Sequence, residues 1–221
     1  RNYYTRIVEK PGISPAIITE LLDKTVFLRL NDISDKLPGY EDIIEACPMD
    51  PEQKEVYEAF SRELKEALNE ELRKGSKRLL GAYLQSLLSY PDTPWKSERI
   101  YRIEKEQGEI TKALLAEARA LSEDKLYPKE KRLLELCQRE KAMGRKMAVY
   151  CTHTETRDIT GRIRGILEKA GLRVSVLKSD TVAPEKREDW IQGEVRRGLD
   201  VLICQPRLVS VGLDLLDLVT A

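Results

Sequence analysis

The sequence predicts an α/β protein in which residues 127–221 form a parallel sheet with flanking helices, preceded by a mainly helical region, residues 1–126. Three observations predict this. Short apolar runs alternate with helical periods in the second part, and capped amphipathic helices recur in the first. The net charge also changes at this point: 20 basic and 24 acidic side chains precede residue 127, whereas 18 basic and 14 acidic ones follow. We expect a domain boundary there.

The composition is typical of a soluble, helix-rich protein. The chain has 221 residues, 34% of them charged and 6% aromatic, which is enough for one or two domains with a core of their own. The apolar stretches fall far short of the roughly 20 residues that a membrane span needs. The first residues contain no signal-peptide core, so we expect a cytoplasmic protein that does not contact a membrane. The start without Met and the apolar end suggest a fragment of a longer chain.

Cysteine and histidine usage argues against a metal site. The four cysteines, Cys47, Cys137, Cys151 and Cys204, form no CxxC pair, and His153 is the single histidine. This excludes a zinc site with the usual paired spacing and favours a reducing compartment. No GxSxG accompanies His153, so nucleophilic serine chemistry is not indicated.

The first part contains several predicted elements. Ser14-Pro15 favours a short helix, and the alternation over 25–30 favours a short strand. Asp50 and Pro51 predict a helix start, and Gln53 has the spacing of a capping box. That helix should run to about Lys74 with one apolar stripe, Val56, Phe60, Leu64, Leu68 and Leu72. Further helices are predicted over 77–89 and 109–121, separated by a loop over 90–94.

The second part alternates helices with short apolar runs. Helices are predicted over 129–143, 154–169 and 184–197, and strands over 147–151, 173–178 and 200–204. This order implies parallel strands joined by right-handed crossovers, with helices on both faces. The loops at the carboxyl ends of such strands meet ligands. Here they are residues 152–155, 179–184 and 205–214.

Four segments resemble the Swi/Snf-type DNA-dependent ATPases of helicase superfamily two. KMAVYCTHTETRDITGRI (146–163) resembles motif IV, and 177–195 resembles the family segment whose helix carries an arginine, here Arg187. Residues 200–221 resemble motif V, and 24–60 resemble the connector after the first lobe, with Gln53 and Tyr57 four apart. These four segments occur in the same order as in the family. Together they resemble the second RecA-like lobe of divergent bacterial or phage-associated members, truncated before motif VI.

The chain departs from the family pattern in motif V and in its nucleotide-binding motifs. Val209-Ser210 stand where motif V usually has paired glycines, and Asp214 stands where many Swi/Snf members have Asn. The 221 residues contain neither GxxxxGK[ST] nor DExx. The resemblance therefore implies that a missing first lobe in cis holds ATP and Mg²⁺. We expect these 221 residues to have no catalytic residue, no bound cofactor and no activity alone.

The resemblance also implies contacts with the DNA backbone at the strand-end loops. A DNA backbone can be bound by hydroxyls, an amide, a guanidinium and the backbone N–H groups at a helix start. Such groups contact phosphates and do not recognise the base sequence. The candidates are Thr152, His153, Thr154, Gln205, Arg207 and Ser210. Gly212 and Asp214 are the candidates for contact with the bound nucleotide. Glycine lets the backbone come close to a ligand, and the Asp carboxylate can accept a hydrogen bond from a ribose hydroxyl.

Simpler structural roles remain open for each of these residues. Thr154 suits an ordinary N-cap, His153 suits a loop hydrogen bond, and Gly212 suits a turn. A structural ion pair with Asp214 or Asp217 is the alternative role for Arg207. Arg187 suits a solvated helix face, and Trp190 suits the core better than base stacking.

Three functions compete. An ATP-driven DNA translocase or helicase is the first, and a non-enzymatic α/β protein-interaction scaffold with a helical arm is the alternative. A nucleotide- or sugar-binding enzyme of another doubly wound family is the third, and the absence of a glycine-rich fingerprint argues against it.

Overall fold

The computed structural model describes residues 41–106, 109–152 and 157–210, together with Lys24 and Val26. The chain divides into two compact units, Arg1–Glu45 and Ala46–Ala221, and every element below belongs to the second. The boundary predicted after residue 126 falls inside that unit and stays a prediction. The short helix predicted at Ser14-Pro15 and, apart from Val26, the strand predicted over 25–30 lie outside the described residues.

The described part of the chain is mixed α/β. Its helices are α1 (Pro51–Arg73), α2 (Arg78–Ser89), α3 (Pro128–Ala142), α4 (Thr160–Lys169) and α5 (Arg187–Arg196). Its strands are β1 (Glu98–Glu106), β2 (Glu109–Ala118), β3 (Met147–Tyr150), β4 (Val174–Leu177) and β5 (Val201–Cys204). Short 3-10 turns cover Tyr90–Asp92, Pro184–Lys186 and Pro206–Leu208.

Helix α1 begins as predicted, although only half of the expected capping box forms. The backbone N–H of Gln53 donates to the Asp50 carboxylate at 3.0 Å. The Gln53 side chain, however, donates to the carbonyl of Pro91 at 3.1 Å instead of returning to the cap. Gln53 therefore ties α1 to the turn after α2.

The apolar stripe of α1 is buried at four of its five predicted residues. Val56, Phe60, Leu64 and Leu68 belong to one core with residues of α2 and the β1–β2 hairpin. Leu72 was expected in the same stripe but is 43% exposed. Steps of four residues advance about 40° around a helix, so by the fifth member the stripe has turned away from the core.

The helix predicted over 109–121 is wrong, because β2 occupies most of this range. It pairs antiparallel with β1, from Glu98 opposite Ala118 to Glu106 opposite Glu109. Alternate residues Ala116 and Ala118 are buried, together with Ile100 of β1. The alanines and leucines of β2 favour a helix locally, but pairing with β1 and packing on α1 override that preference. The first part is therefore not mainly helical throughout.

The predicted parallel sheet is confirmed, with three strands in the order β3-β5-β4. Both outer strands run parallel to the central strand, β5. Val201 and Ile203 pack with residues of α3 and α4, while Leu202 and Cys204 pack with Ile191 of α5. Helices therefore cover both faces of the sheet, as the apolar run of β5 predicts.

Helix α4 begins at Thr160, later than the predicted start at residue 154. The Asp158 carboxylate accepts from the Thr160 backbone N–H at 2.8 Å and from its hydroxyl at 2.7 Å. These two bonds fix the first turn of the helix at this point. The predicted N-cap, Thr154, lies outside the described residues.

Trp95 joins the two halves of the second unit. It packs against the core of α1, α2 and the hairpin and also against the core beneath the sheet. The Arg162 guanidinium of α4 lies 3.9 Å from the Trp95 ring centroid and donates to the Glu130 carboxylate. In the part of the chain that is described, no helix combines the length and apolar character needed to cross a membrane.

Candidate functional site

The three parallel strands end at one edge of the sheet. Tyr150 and Leu177, the last residues of β3 and β4, both align with Cys204, the last residue of β5. The backbone N–H of Cys151 continues this pairing by donating to the Cys204 carbonyl at 2.9 Å. The segments after β3 and β5 therefore start side by side, as parallel topology predicts.

The predicted DNA-backbone residues that the structure describes lie at this edge. Thr152, Arg207 and Ser210 are exposed, and Gln205 is half-buried. The Ser210 hydroxyl donates to the Arg207 carbonyl at 3.3 Å, which closes the loop around the 3-10 turn. No ion pair involves the Arg207 guanidinium within residues 41–106, 109–152 and 157–210. Arg207 therefore presents an exposed side chain at this edge of the sheet.

The other predicted site residues cannot be placed. His153, Thr154, Gly212 and Asp214 lie outside the described residues, as does Asp217, the other acidic residue considered for Arg207. Their roles stay predictions.

Arg187 is half-buried and supports the loop after β5, so it does not lie on a solvated helix face. As the first residue of α5, it donates from Nη1 to the Leu208 carbonyl at 3.3 Å. Its Nε is buried and has no partner among the described residues. Arg187 therefore holds the loop that carries Arg207.

Asp158 and Lys178 form an ion pair that the sequence analysis missed. Lys178 Nζ lies 2.7 Å from Asp158 Oδ2, and the Lys178 backbone N–H donates to the Thr181 hydroxyl at 2.8 Å. Burial opposes ionisation of Asp158, but the bonds from Lys178 and Thr160 outweigh it, so its pKa lies below the ordinary value. The pair joins the segment after β3 to the loop after β4.

Arg157 also went unnoticed in the sequence, and it connects the segment after β3 to the hairpin. Its guanidinium contacts the Glu98 carboxylate at the start of β1 and lies 3.5 Å from the Ser86 hydroxyl of α2. Arg157 and Glu98 are both mostly buried. The only sequence signal was an arginine in a polar loop, which does not identify its partner.

Trp190 belongs to the core, as expected from its place in α5. It is half-buried and packs with Leu177, Ile191 and Leu202 on one face of the sheet. In the described part of the chain, no group of three or more His, Cys, Asp or Glu side chains is placed to hold a metal ion.

Comparison with protein-family models, curated proteins and solved structures gave no significant match. The class that the structure itself defines is a mixed α/β protein with a three-stranded parallel sheet and an added antiparallel hairpin.

Proposed function

We propose that the chain is part of an ATP-dependent DNA translocase or helicase, with its parallel sheet and helices forming the second RecA-like lobe. The observation that carries the proposal is the pairing of Cys151 with Cys204, because the segments that carry Thr152 and Arg207 both start from this pair at one edge of the sheet. This is the edge where parallel α/β folds bind their ligands.

The exposed groups at this edge suit a phosphodiester backbone. Thr152 and Ser210 supply hydroxyls, and Arg207 supplies a guanidinium without an ion-pair partner among the described residues. Such groups hold phosphates regardless of base sequence, as a protein that moves along DNA requires. Arg187 and the Asp158–Lys178 pair hold the neighbouring loops, which lowers the entropic cost of binding.

ATP and Mg²⁺ are held mainly by a first lobe in cis, which carries the phosphate loop and acidic motif absent from these 221 residues. The second lobe closes on that nucleotide through Gly212 and Asp214. In this proposal the protein acts in the cytoplasm. ATP supplies the phosphoryl-transfer step that drives lobe movement, and the described residues bind and orient DNA.

The ATPase activity of the parent polypeptide tests the proposal. We expect DNA to stimulate hydrolysis and Arg207→Ala to reduce that stimulation, with the basal rate preserved because Arg207 acts on DNA. The 221 residues alone should not hydrolyse ATP. Turnover by the purified chain, or full DNA stimulation in the variant, contradicts the assignment.

The alternative is a non-enzymatic scaffold, and the outer face of α2 favours it. Leu80, Leu84 and Leu88 recur at every fourth position and are all exposed. A scaffold requires no DNA contact at the sheet edge. The scaffold hypothesis therefore predicts that the parent polypeptide shows no DNA-stimulated ATP hydrolysis and that Arg207→Ala changes nothing in that assay.

A further inference from the structure

A cleft of about 1160 Å³ lies between the turn that joins α1 to α2 and the first part of the hairpin. Its floor is apolar. Leu79 and Ile100 are buried there, and Ala82 and Leu115 are half-buried and pack against the same core. The described residues that are proposed to contact DNA do not line it. The cleft is therefore a second surface, separate from the edge that carries the proposed function.

A β-bulge brings the hairpin into this floor. Ile100 lies opposite Ala116 and Tyr101 lies opposite Leu114, so Leu115 is an extra residue in the ladder. Such a residue bends the strand and re-aims a side chain. Leu115 and Ala116 both pack on the core, although consecutive residues of a regular strand point to opposite faces. The bulge thus adds an aliphatic side chain to the floor of the cleft.

The rim of the cleft is basic. Four of the six residues from 73 to 78 are basic, and three of them line the cleft, namely Lys74, Lys77 and Arg78. Arg102 also lines it, but Glu71 lies 3.0 Å from Arg102 Nε and 3.8 Å from Lys74 Nζ. Lys77 and Arg78 are exposed, and neither forms an ion pair with a described residue. The rim therefore carries a net positive charge.

The two exposed cations do not stabilise the helix that they begin. Lys77 is the cap residue of α2 and Arg78 is its first residue, and the first turn contains no acidic side chain. The N-terminus of a helix favours anions and disfavours cations. Gly75, with a φ of 78°, fixes the turn, because its N–H and that of Ser76 donate to α1 carbonyls at 2.9 Å. The fold thus holds two cations where an anion is favourable.

We propose that this cleft binds an acidic, apolar segment of a partner protein, with apolar side chains on the floor and carboxylates at Lys77 and Arg78. A guanidinium donates two parallel hydrogen bonds to a carboxylate. DNA phosphates fit the cations but not the floor, which is aliphatic and offers no ring on which a base stacks. A membrane surface takes up protruding apolar groups, whereas this floor is recessed. An acidic peptide uses both the rim and the floor.

Selection from a displayed library of random peptides tests the proposal without assuming the sequence of the partner. One target is the 221-residue chain, and the other carries Lys77→Glu together with Arg78→Glu. We expect the wild type to enrich peptides that combine Asp or Glu with aliphatic residues. In fluorescence anisotropy, the most enriched peptide should bind the charge-reversed protein about tenfold more weakly, as expected for the loss of two exposed ion pairs.

Two further variants locate the binding. Arg62→Glu together with Lys65→Glu reverses two exposed charges of α1 that do not line the cleft, so the peptide should bind as it does to the wild type. Ala82→Phe fills part of the floor without changing the charge and should weaken binding. Thermal denaturation checks that each variant is folded. The charge-reversed proteins change only exposed side chains, so their comparison decides the matter even if Ala82→Phe does not fold.

Several results would overturn the proposal. These are no enrichment at all, enrichment of peptides without acidic residues, and equal binding of the enriched peptide to wild type and to the protein reversed at Lys77 and Arg78. The proposal is equally wrong if no acidic peptide is enriched and these two residues instead bind a single-stranded oligonucleotide or phosphatidylserine vesicles. The same holds if they mediate self-association, measured by sedimentation. The expectation for Arg207 is independent of all these results, because Arg207 does not line the cleft.

Discussion

Lys178 Nζ lies 2.7 Å from the Asp158 carboxylate, which links the segment before α4 to the loop after β4. The same carboxylate fixes the first turn of α4 through Thr160. One acidic side chain therefore sets both the start of a helix and the spacing of two loops at the carboxyl edge of the sheet.

Asp158→Asn should lower the free energy of unfolding by about 1 kcal/mol near neutral pH, because the ion pair is lost. The folded pKa of Asp158 lies below the ordinary value of about 3.9, so its contribution is present above that pH. It disappears as the pH falls through the folded pKa. Urea denaturation at about pH 7 and pH 3 should show the difference between wild type and variant shrinking on acidification. Asp180→Asn, at an exposed position nearby, is the control, and a pH-independent difference contradicts the account.

Leu202→Ala should destabilise the protein by about 2–5 kcal/mol, because Leu202 is fully buried in the central strand and truncation leaves a cavity. Leu84→Ala makes the same chemical change on an exposed face of α2 and should alter stability by about 0.5 kcal/mol or less. Thermal denaturation of both variants measures the contrast. Equal effects would mean that β5 is not the centre of the packed sheet.

Asp50→Ala should cost about 1 kcal/mol, because the Gln53 backbone N–H loses its acceptor at the start of α1. Asp50→Asn keeps an acceptor oxygen but loses the charge that pairs with Lys125 at 3.0 Å, so its cost should be smaller. Urea denaturation measures the free energy of unfolding of the wild type and the two variants and ranks them. If the Asn variant is as unstable as the Ala variant, the helix cap is not the source of the effect.

Three thiols should resist alkylation in the folded protein. Burial raises the pKa of Cys137, Cys151 and Cys204 to about 11, so almost no thiolate is present at about pH 8. Cys47 is half-buried and should be the first to react. Mass spectrometry after iodoacetamide treatment should find the three protected before denaturation and all four modified after it. Rapid native labelling of Cys204 would contradict its burial under α5.

The parallel sheet was predictable because each of its strands has a recognisable local sequence pattern. Val201–Cys204 is a continuous apolar run that follows a glycine, and such a run, buried on both faces, identifies a central parallel strand. The meeting of the strand-end loops follows from topology alone. Predicting that the segment with Thr152 and the segment with Gln205 start at the same edge therefore required no knowledge of side-chain contacts.

The hairpin and the ion pairs depend on distant partners, which local patterns do not specify. The β2 sequence EITKALLAEA contains good helix formers, and only pairing with β1 makes it a strand. The Gln-Gly dipeptide between the two strand sequences was a turn signal that could have indicated a hairpin. Arg157 and Glu98 are 59 positions apart, and Asp158 and Lys178 are 20 apart, so no periodicity connects them.

The most direct test of the account is the salt dependence of DNA binding by this chain, compared between Arg207→Ala and Arg196→Ala. Both changes remove one exposed arginine, but Arg196 ends α5 and precedes the start of β5, at the opposite edge of the sheet. We expect Arg207→Ala to weaken binding uniformly across sequences and to reduce the slope of log K against log salt by about 1. Arg196→Ala should keep the wild-type slope. Equal slopes in all three proteins, or no salt-dependent binding by the wild type, would contradict a DNA-backbone site at the carboxyl edge.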